Sequence, residues 1–230
     1  MKISPTLTEV KEIAKTGKYD ILPVSCEILS DFITPIEAMR ILQNVSTHCY
    51  LLESAQANEA WGRYTFLGYD PKLEINCIDG HMKLGKLSVE TENPSEYIRQ
   101  ILSEYKSPKF DYLPSFTGGL VGYFSYDYLG YKEKSIRGKA KDTEDFKDVD
   151  LMLFDKVIAF DNLCQKIILI ANMSLDAPET GYNKAIVELK QLRELLMHGE
   201  KKQNMGGKLL GEVTPLFEKE QYCEMVEKAK

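Results

Sequence analysis

The sequence predicts an α+β fold in which largely antiparallel β-sheet layers carry flanking helices. Three observations lead there. Runs at residues 73–78 and 151–160 each end in a turn signal, Asp79-Gly80 and Asp161-Asn162, so they read as hairpins rather than as strands joined by crossovers. The apolar runs change period from 2 to 3.6 several times along the chain. The spacing between these runs is uneven, which argues against the regular alternation of a doubly wound parallel sheet.

The helices announce themselves by their first turns. Thr6-Leu7-Thr8-Glu9 is a capping box, with Gly17 as a stop. Thr34-Pro35-Ile36-Glu37 repeats the device with Pro at the first helical position and predicts a helix to about Val45. Asn93-Pro94-Ser95-Glu96 opens a third helix, with Tyr97, Ile98, Ile101, Leu102 and Tyr105 on one face. Residues 180–197 form a long helix with Ala185, Ile186, Leu189, Leu192 and Leu196 inward and Gly199 beyond its end. Thr214-Pro215 predicts the start of a last helix, which reads as part of a fragment that stops within it. Strands are expected at 49–53, 63–67, 73–78, 119–126, 151–160 and 166–171. The charged segment 131–150 is expected to be an exposed loop and 200–207 a linker.

Composition narrows the function. With 230 residues, 43% hydrophobic and 28% charged, the chain can bury a core as one or two soluble globular domains. Its net charge of −6 and pI near 5.3 disfavour a nucleic-acid partner. The longest aliphatic stretch, Ile167-Ile168-Leu169-Ile170-Ala171, falls far short of the roughly 20 apolar residues of a membrane span. Met1-Lys2-Ile3-Ser4-Pro5 is no signal peptide, so the cytoplasm is expected. Cys26, Cys49, Cys77, Cys164 and Cys223 form no Cys-x-x-Cys pair and read as reduced thiols. His48, His81 and His198 lie at no metal-ligand spacing, so no metal site is expected in the chain.

Two short stretches invite a chemical reading. Thr117-Gly118-Gly119-Leu120-Val121-Gly122-Tyr123 is glycine-rich, but it enters a strand instead of following one and opening a helix, so close sheet packing or a bulge is favoured over a phosphate cradle. Leu51-Leu52-Glu53-Ser54 leaves an acid and a hydroxyl at the end of an apolar strand. Taken by themselves, Ser54 capping a turn beside a solvated Glu53 is the plainer reading of that pair.

Several blocks in one order change that balance. Leu22-Pro23-Val24-Ser25-Cys26-Glu27-Ile28-Leu29-Ser30-Asp31 with Thr34-Pro35, then Leu51-Leu52-Glu53-Ser54, then Trp61-Gly62-Arg63-Tyr64-Thr65-Phe66-Leu67-Gly68 with Pro71, resemble the opening of anthranilate synthase component I, the large subunit. Gly118 to Tyr123, Phe154 to Asp161 and Leu169-Ile170-Ala171-Asn172 extend the resemblance over most of the chain. Ser25 and Cys26 depart from the Tyr and Arg of many relatives, at what is expected to be the edge of the family's inhibitor pocket, and Thr65 replaces the commoner Ser while keeping the hydroxyl.

The resemblance implies the N-terminal part of that family's fold, with residues 1–212 a tryptophan-sensing region and 213–230 the start of the chorismate-binding region. It implies a whole enzyme, a lyase requiring Mg2+ and inhibited by L-tryptophan, that converts chorismate to anthranilate and pyruvate with ammonia that a glutamine amidotransferase subunit (component II) releases from glutamine. Catalytic residues and the magnesium site would lie beyond Lys230, so the fragment alone is expected to be inactive. Leu52, Glu53 and Ser54, with Arg63, are the implied tryptophan ligands: Glu53 and Ser54 accept from the α-ammonium and Arg63 faces the α-carboxylate. Aminodeoxychorismate synthase of folate synthesis, which shares the scaffold, and a non-catalytic tryptophan-binding module are the alternatives.

Overall fold

The computed structural model describes residues 2–54, 62–135, 145–203 and 206–230. The first half runs β1 (Ile3–Ser4), α1 (Leu7–Lys15), β2 (Ile21–Leu29), α2 (Pro35–Val45), β3 (Cys49–Leu52), β4 (Tyr64–Tyr69), β5 (Leu73–Ile78), β6 (His81–Leu84) and β7 (Leu87–Glu90). The second half adds α3 (Pro94–Ser103), β8 (Gly119–Phe124), a 3-10 segment (Tyr126–Tyr131), β9 (Val149–Phe154), β10 (Lys156–Asp161), β11 (Lys166–Ser174), α4 (Pro178–His198) and α5 (Lys219–Ala229).

The strands form a six-stranded sheet in the order β1-β2-β11-β10-β4-β3 and a five-stranded sheet in the order β7-β6-β5-β9-β8. Every described pairing is antiparallel, as the sequence predicts. One expectation is corrected. Residues 151–160 do not make a single strand: β9 belongs to the five-stranded sheet and β10 to the six-stranded sheet, with Asp155 between them. The physical reason is the side chain of Asn172, whose Nδ2 donates to Thr117 O at 2.6 Å and to Asp155 O at 3.0 Å while its backbone N–H also donates to Asp155 O at 2.8 Å. These bonds hold the carbonyl of Asp155 where the chain leaves one sheet for the other.

Capping behaves largely as read. Thr6 and Glu9 close the box on α1, and Thr34 and Glu37 close that on α2 behind Pro35. Asn93 stands at the start of α3 but spends its side chain on Ser95 and Glu96 rather than on a backbone N–H. The last helix begins at Lys219, not at Thr214, because Glu218 and Gln221 supply its reciprocal cap. Gly199 does end α4, though with an ordinary φ; a Cβ there would stand 2.4 Å from Leu195 O and 2.6 Å from Ile41 Cγ2. Of the segment 131–150, residues 136–144 lie outside the described residues, and Val149 and Asp150 prove to be in β9.

Helices α1, α2 and α4 cover one face of the six-stranded sheet, where Val10, Ala38, Ile41, Leu42, Leu189 and Leu192 meet Leu22, Val24, Leu67, Ile158, Ile167 and Leu169. The opposite face buries Val157, Ala159, Ile168 and Ile170 under Leu113, Phe110 and Phe116. β11 is therefore covered on both sides, which is why its sequence is an unbroken aliphatic run and not an alternation. Helix α3 covers the five-stranded sheet through Ile98, against Ile75, Cys77, Met82 and Leu151.

Two positions in the sheets predict opposite responses. Gly122 sits at φ +152°, and a Cβ there would lie 1.9 Å from Asp150 O across the β8/β9 ladder. Gly122→Ala is expected to cost roughly 3 kcal/mol or more, read as a lowered urea midpoint. The Tyr50 hydroxyl is buried with no hydrogen-bond partner among the described residues. Tyr50→Phe removes that orphan and should leave stability unchanged or raise it by about 1 kcal/mol; a clear loss would show that the hydroxyl has a partner after all.

Candidate functional site

Strand pairing assembles one end of the six-stranded sheet. β3 ends with Leu52 opposite Phe66 of β4, Tyr64 at the start of β4 faces Asp161 at the end of β10, and Asp161 faces Lys166 at the start of β11. Glu53 and Ser54 therefore leave β3 at the same edge at which Arg63 enters β4. All three residues that close the Leu-Leu-Glu-Ser motif are exposed, Leu52 by 46%. Their exposure follows from position: β3 is the edge strand, and its last residues run past the helices that cover Leu51 and Leu67. Trp61, of the Trp-Gly-Arg block, lies outside the described residues.

Arg63 has a protein partner. Its Nε donates to Asp161 Oδ1 at 3.2 Å and its Nη2 to Asp161 Oδ2 at 2.8 Å, a fork on a carboxylate. The Asp161 side chain has no exposure while about a third of the arginine side chain, 35%, does. Asp161 Oδ1 also accepts from the N–H groups of Leu163 at 3.2 Å and Cys164 at 3.0 Å, closing the β10/β11 turn. Next to it, Asn162 donates its backbone N–H to Arg63 O at 2.9 Å, and its Nδ2 lies 3.4 Å from Gly62 O and 3.3 Å from Thr65 Oγ1. The guanidinium carbon stands 4.9 Å from the centroid of the Tyr64 ring.

The resemblance implies that Arg63 faces a ligand carboxylate. In the structure two of its nitrogens are engaged by Asp161, which leaves Nη1 without a hydrogen bond among the described residues. The sequence predicts Asp161 and Asn162 only as turn residues. The signal in the sequence that points to them is the Asp-Asn pair itself, since such side chains accept from N–H groups two or three residues on. The hydroxyl of Thr65 is used by Asn162, which gives that departure from Ser a structural reason to keep its oxygen. Ser25 and Cys26, expected at the pocket's edge, are buried in β2 at 3% and 1% exposure, and β2 stands four strand spacings from β3, roughly 19 Å at about 4.8 Å each.

Elsewhere, each histidine stands beside a surface glutamate: His48 by Glu74 at 3.3 Å, His81 by Glu90 at 3.5 Å and His198 by Glu194 at 3.5 Å. All five cysteines are free thiols, and burial pushes that of Cys26 up to about 11. Among the described residues, no group of three or more His, Cys, Asp or Glu side chains gathers to hold a metal ion, and no helix is long and apolar enough to cross a membrane.

The ion pair has a pH signature. Burial alone would raise the Asp161 carboxyl, but the hydrogen bonds from Arg63 and from the Cys164 N–H outweigh it, and the group lies below its ordinary range. A depressed carboxyl stabilises the fold fully above its unfolded value near ~3.9 and loses that contribution as pH falls through the folded value. Asp161→Asn should therefore lower the urea midpoint at pH 7 by the equivalent of about 1–3 kcal/mol and flatten the fall in stability below about pH 4. Identical acid profiles for the two proteins would contradict the pairing.

Comparison with known proteins places this geometry in a family. The family of chorismate binding enzymes matches residues 47–230. The chain is 32% identical to anthranilate synthase component 1 of Acetivibrio thermocellus over 98% of this chain and 47% of that protein. It is 36% identical to the protein of the same name from Pseudomonas aeruginosa over 82% of this chain and 39% of that one. Among solved structures, anthranilate synthase component I from Streptococcus pneumoniae TIGR4 superposes with a TM-score of 0.56 at 25% identity, over 88% of this chain and 44% of the other. The chain thus spans a little under half the length of the relatives it matches. With four-fifths of its residues matched and a shared architecture, the chain belongs to the chorismate binding enzymes, in the branch that resembles anthranilate synthase component I.

Proposed function

We propose that residues 1–212 are the tryptophan-sensing region of a cytoplasmic anthranilate synthase large subunit, and that residues 213–230 begin its chorismate-binding region. The observation that carries this reading is the exposed Glu53-Ser54 pair at the end of β3, beside the Arg63 guanidinium at the start of β4. An α-amino acid needs a carboxylate or hydroxyl for its ammonium and a cation for its carboxylate, and this sheet end offers both.

Magnitudes support a ligand with a large ring. Each charge-assisted hydrogen bond contributes about 1.5–3 kcal/mol. Burying an indole of roughly 200 Å² at about 25 cal/mol per Å² contributes about 5 kcal/mol, so the ring matters as much as two such bonds. The exposed Leu52 is the apolar side chain of the motif that supports this reading.

On this reading the whole enzyme converts chorismate to anthranilate and pyruvate, using ammonia from a glutamine amidotransferase subunit. On the same reading, magnesium and chorismate bind in the part of the relatives' length that this chain does not span. Tryptophan inhibits because the bound form disfavours chorismate, and the coupling is reciprocal.

The test is anthranilate fluorescence from chorismate, Mg2+ and ammonia, for this chain and for the full-length polypeptide that carries it. Only the full-length protein should make anthranilate, and tryptophan should suppress it. Ser54→Ala is expected to keep activity and to raise the tryptophan concentration for half-inhibition about tenfold, the equivalent of ~1.4 kcal/mol. Aminodeoxychorismate as product would assign the protein to folate synthesis instead, and unaltered tryptophan sensitivity in Ser54→Ala would remove the motif from the pocket.

A further inference from the structure

The turn between β10 and β11 is built in more detail than a hairpin requires. A two-stranded turn closes with its own backbone bonds, yet Asp161 and Asn162 direct their polar groups across to β4. Asp161 takes Arg63 by two nitrogens, and Asn162 takes the Arg63 carbonyl, the Gly62 carbonyl and the Thr65 hydroxyl. Together they bind three of the four residues from Gly62 to Thr65, by backbone and side chain. A fully buried carboxylate holding a partly exposed guanidinium also fixes that cation's orientation, with Nη1 making no hydrogen bond among the described residues.

We infer that Asp161 and Asn162 are positioning residues for the ligand site at the end of β3: they hold Arg63 so that its remaining nitrogen faces the carboxylate of an α-amino acid whose ammonium is bound by Glu53 and Ser54. This rests on the tryptophan-sensing reading above and adds to it the device that orients the site's cation. Neither residue touches the ligand. Asp161 acts through Arg63, and Asn162 acts through the backbone that carries Arg63. An arginine on a solvated edge would otherwise sample many rotamers, and ordering it at binding would cost affinity. Lys166, across the sheet from Asp161, is itself paired with Glu27 at 2.6 Å and so does not substitute for Arg63.

The experiment is a calorimetric titration of L-tryptophan into the full-length polypeptide and its variants Arg63→Gln, Asp161→Asn and the double variant. Each single change should weaken binding about tenfold, and the double variant should bind no more weakly than the poorer single one, since both remove the same oriented cation. Asn162→Ala, which leaves the ion pair intact, should weaken binding about threefold and serves where Asp161→Asn folds poorly. Tyr182→Phe, which removes a buried hydrogen bond to Pro5 O at 3.0 Å on the helix side, controls for lost stability and should leave affinity unchanged. Wild-type affinity in Asp161→Asn, or singles that multiply to about a hundredfold in the double variant, overturns the inference while leaving tryptophan sensing in place. A wild-type protein that binds no tryptophan overturns the functional reading itself.

Discussion

The architecture depends on how one strand run is divided between two sheets at Asp155. β9 and β10 are contiguous but for that residue, and its carbonyl accepts from both the side chain and the backbone of Asn172 on β11. The same side chain reaches Thr117 O, just before β8, so one asparagine ties together the ends of elements from both sheets. The approach is close enough that a Cβ on Gly118 would stand 2.6 Å from Asn172 Nδ2. Tyr50, Phe116 and Phe154 pack edge to face around this junction, with ring centroids 4.7 Å apart for Tyr50 and Phe154 and 6.4 Å apart for Tyr50 and Phe116. The glycine-rich stretch that invites a phosphate-binding reading is thereby given a packing role.

From that junction the functional end follows by register. Once β10 pairs with β4 and β4 with β3, the ends of β3 and β10 and the start of β4 must fall together at one edge of the sheet. Helix burial on one face and the aromatic layer on the other lock this register, because a slip by one residue would turn Ile158 and Phe160 away from the helices. The core thus does for the proposed ligand site what its own exposed residues cannot do: it sets where they are. The turn residues Asp161 and Asn162 then refine the position within that frame.

Family and site are linked by different kinds of support. The match of residues 47–230 to chorismate binding enzymes, and the likeness to anthranilate synthase component I over a little under half its length, rest on the whole chain. The tryptophan reading rests on a few side chains at one sheet end, where an acid, a hydroxyl and a held arginine provide both halves of the chemistry that an amino acid needs. Arg63 is the point at which the two kinds of support meet, since it is the part of the Trp-Gly-Arg block that the structure describes in contact with a buried partner.

Much of this was legible in the residues because it is local. The Thr6/Glu9 and Thr34/Glu37 boxes, the Asp79-Gly80 turn and the stripe of Ala185, Leu189, Leu192 and Leu196 depend on neighbours within four positions, and the structure reproduces them. The exposed Leu52-Glu53-Ser54 end could be singled out for the same reason. The division at Asp155 was not, because the charged pair Asp155-Lys156 interrupts the apolar run without saying that the strand changes sheet, which depends on bonds from Asn172, seventeen residues on. Nor could the partner of Arg63: Asp161 lies 98 residues away and meets it only when β4 and β10 pair. Sequence by itself determined most of the helices and strands, though not β1, β2 or β7, and which family they resemble; tertiary pairing alone decided which distant polar groups would face each other, because a buried charge takes its partner from the fold and not from its neighbours along the chain.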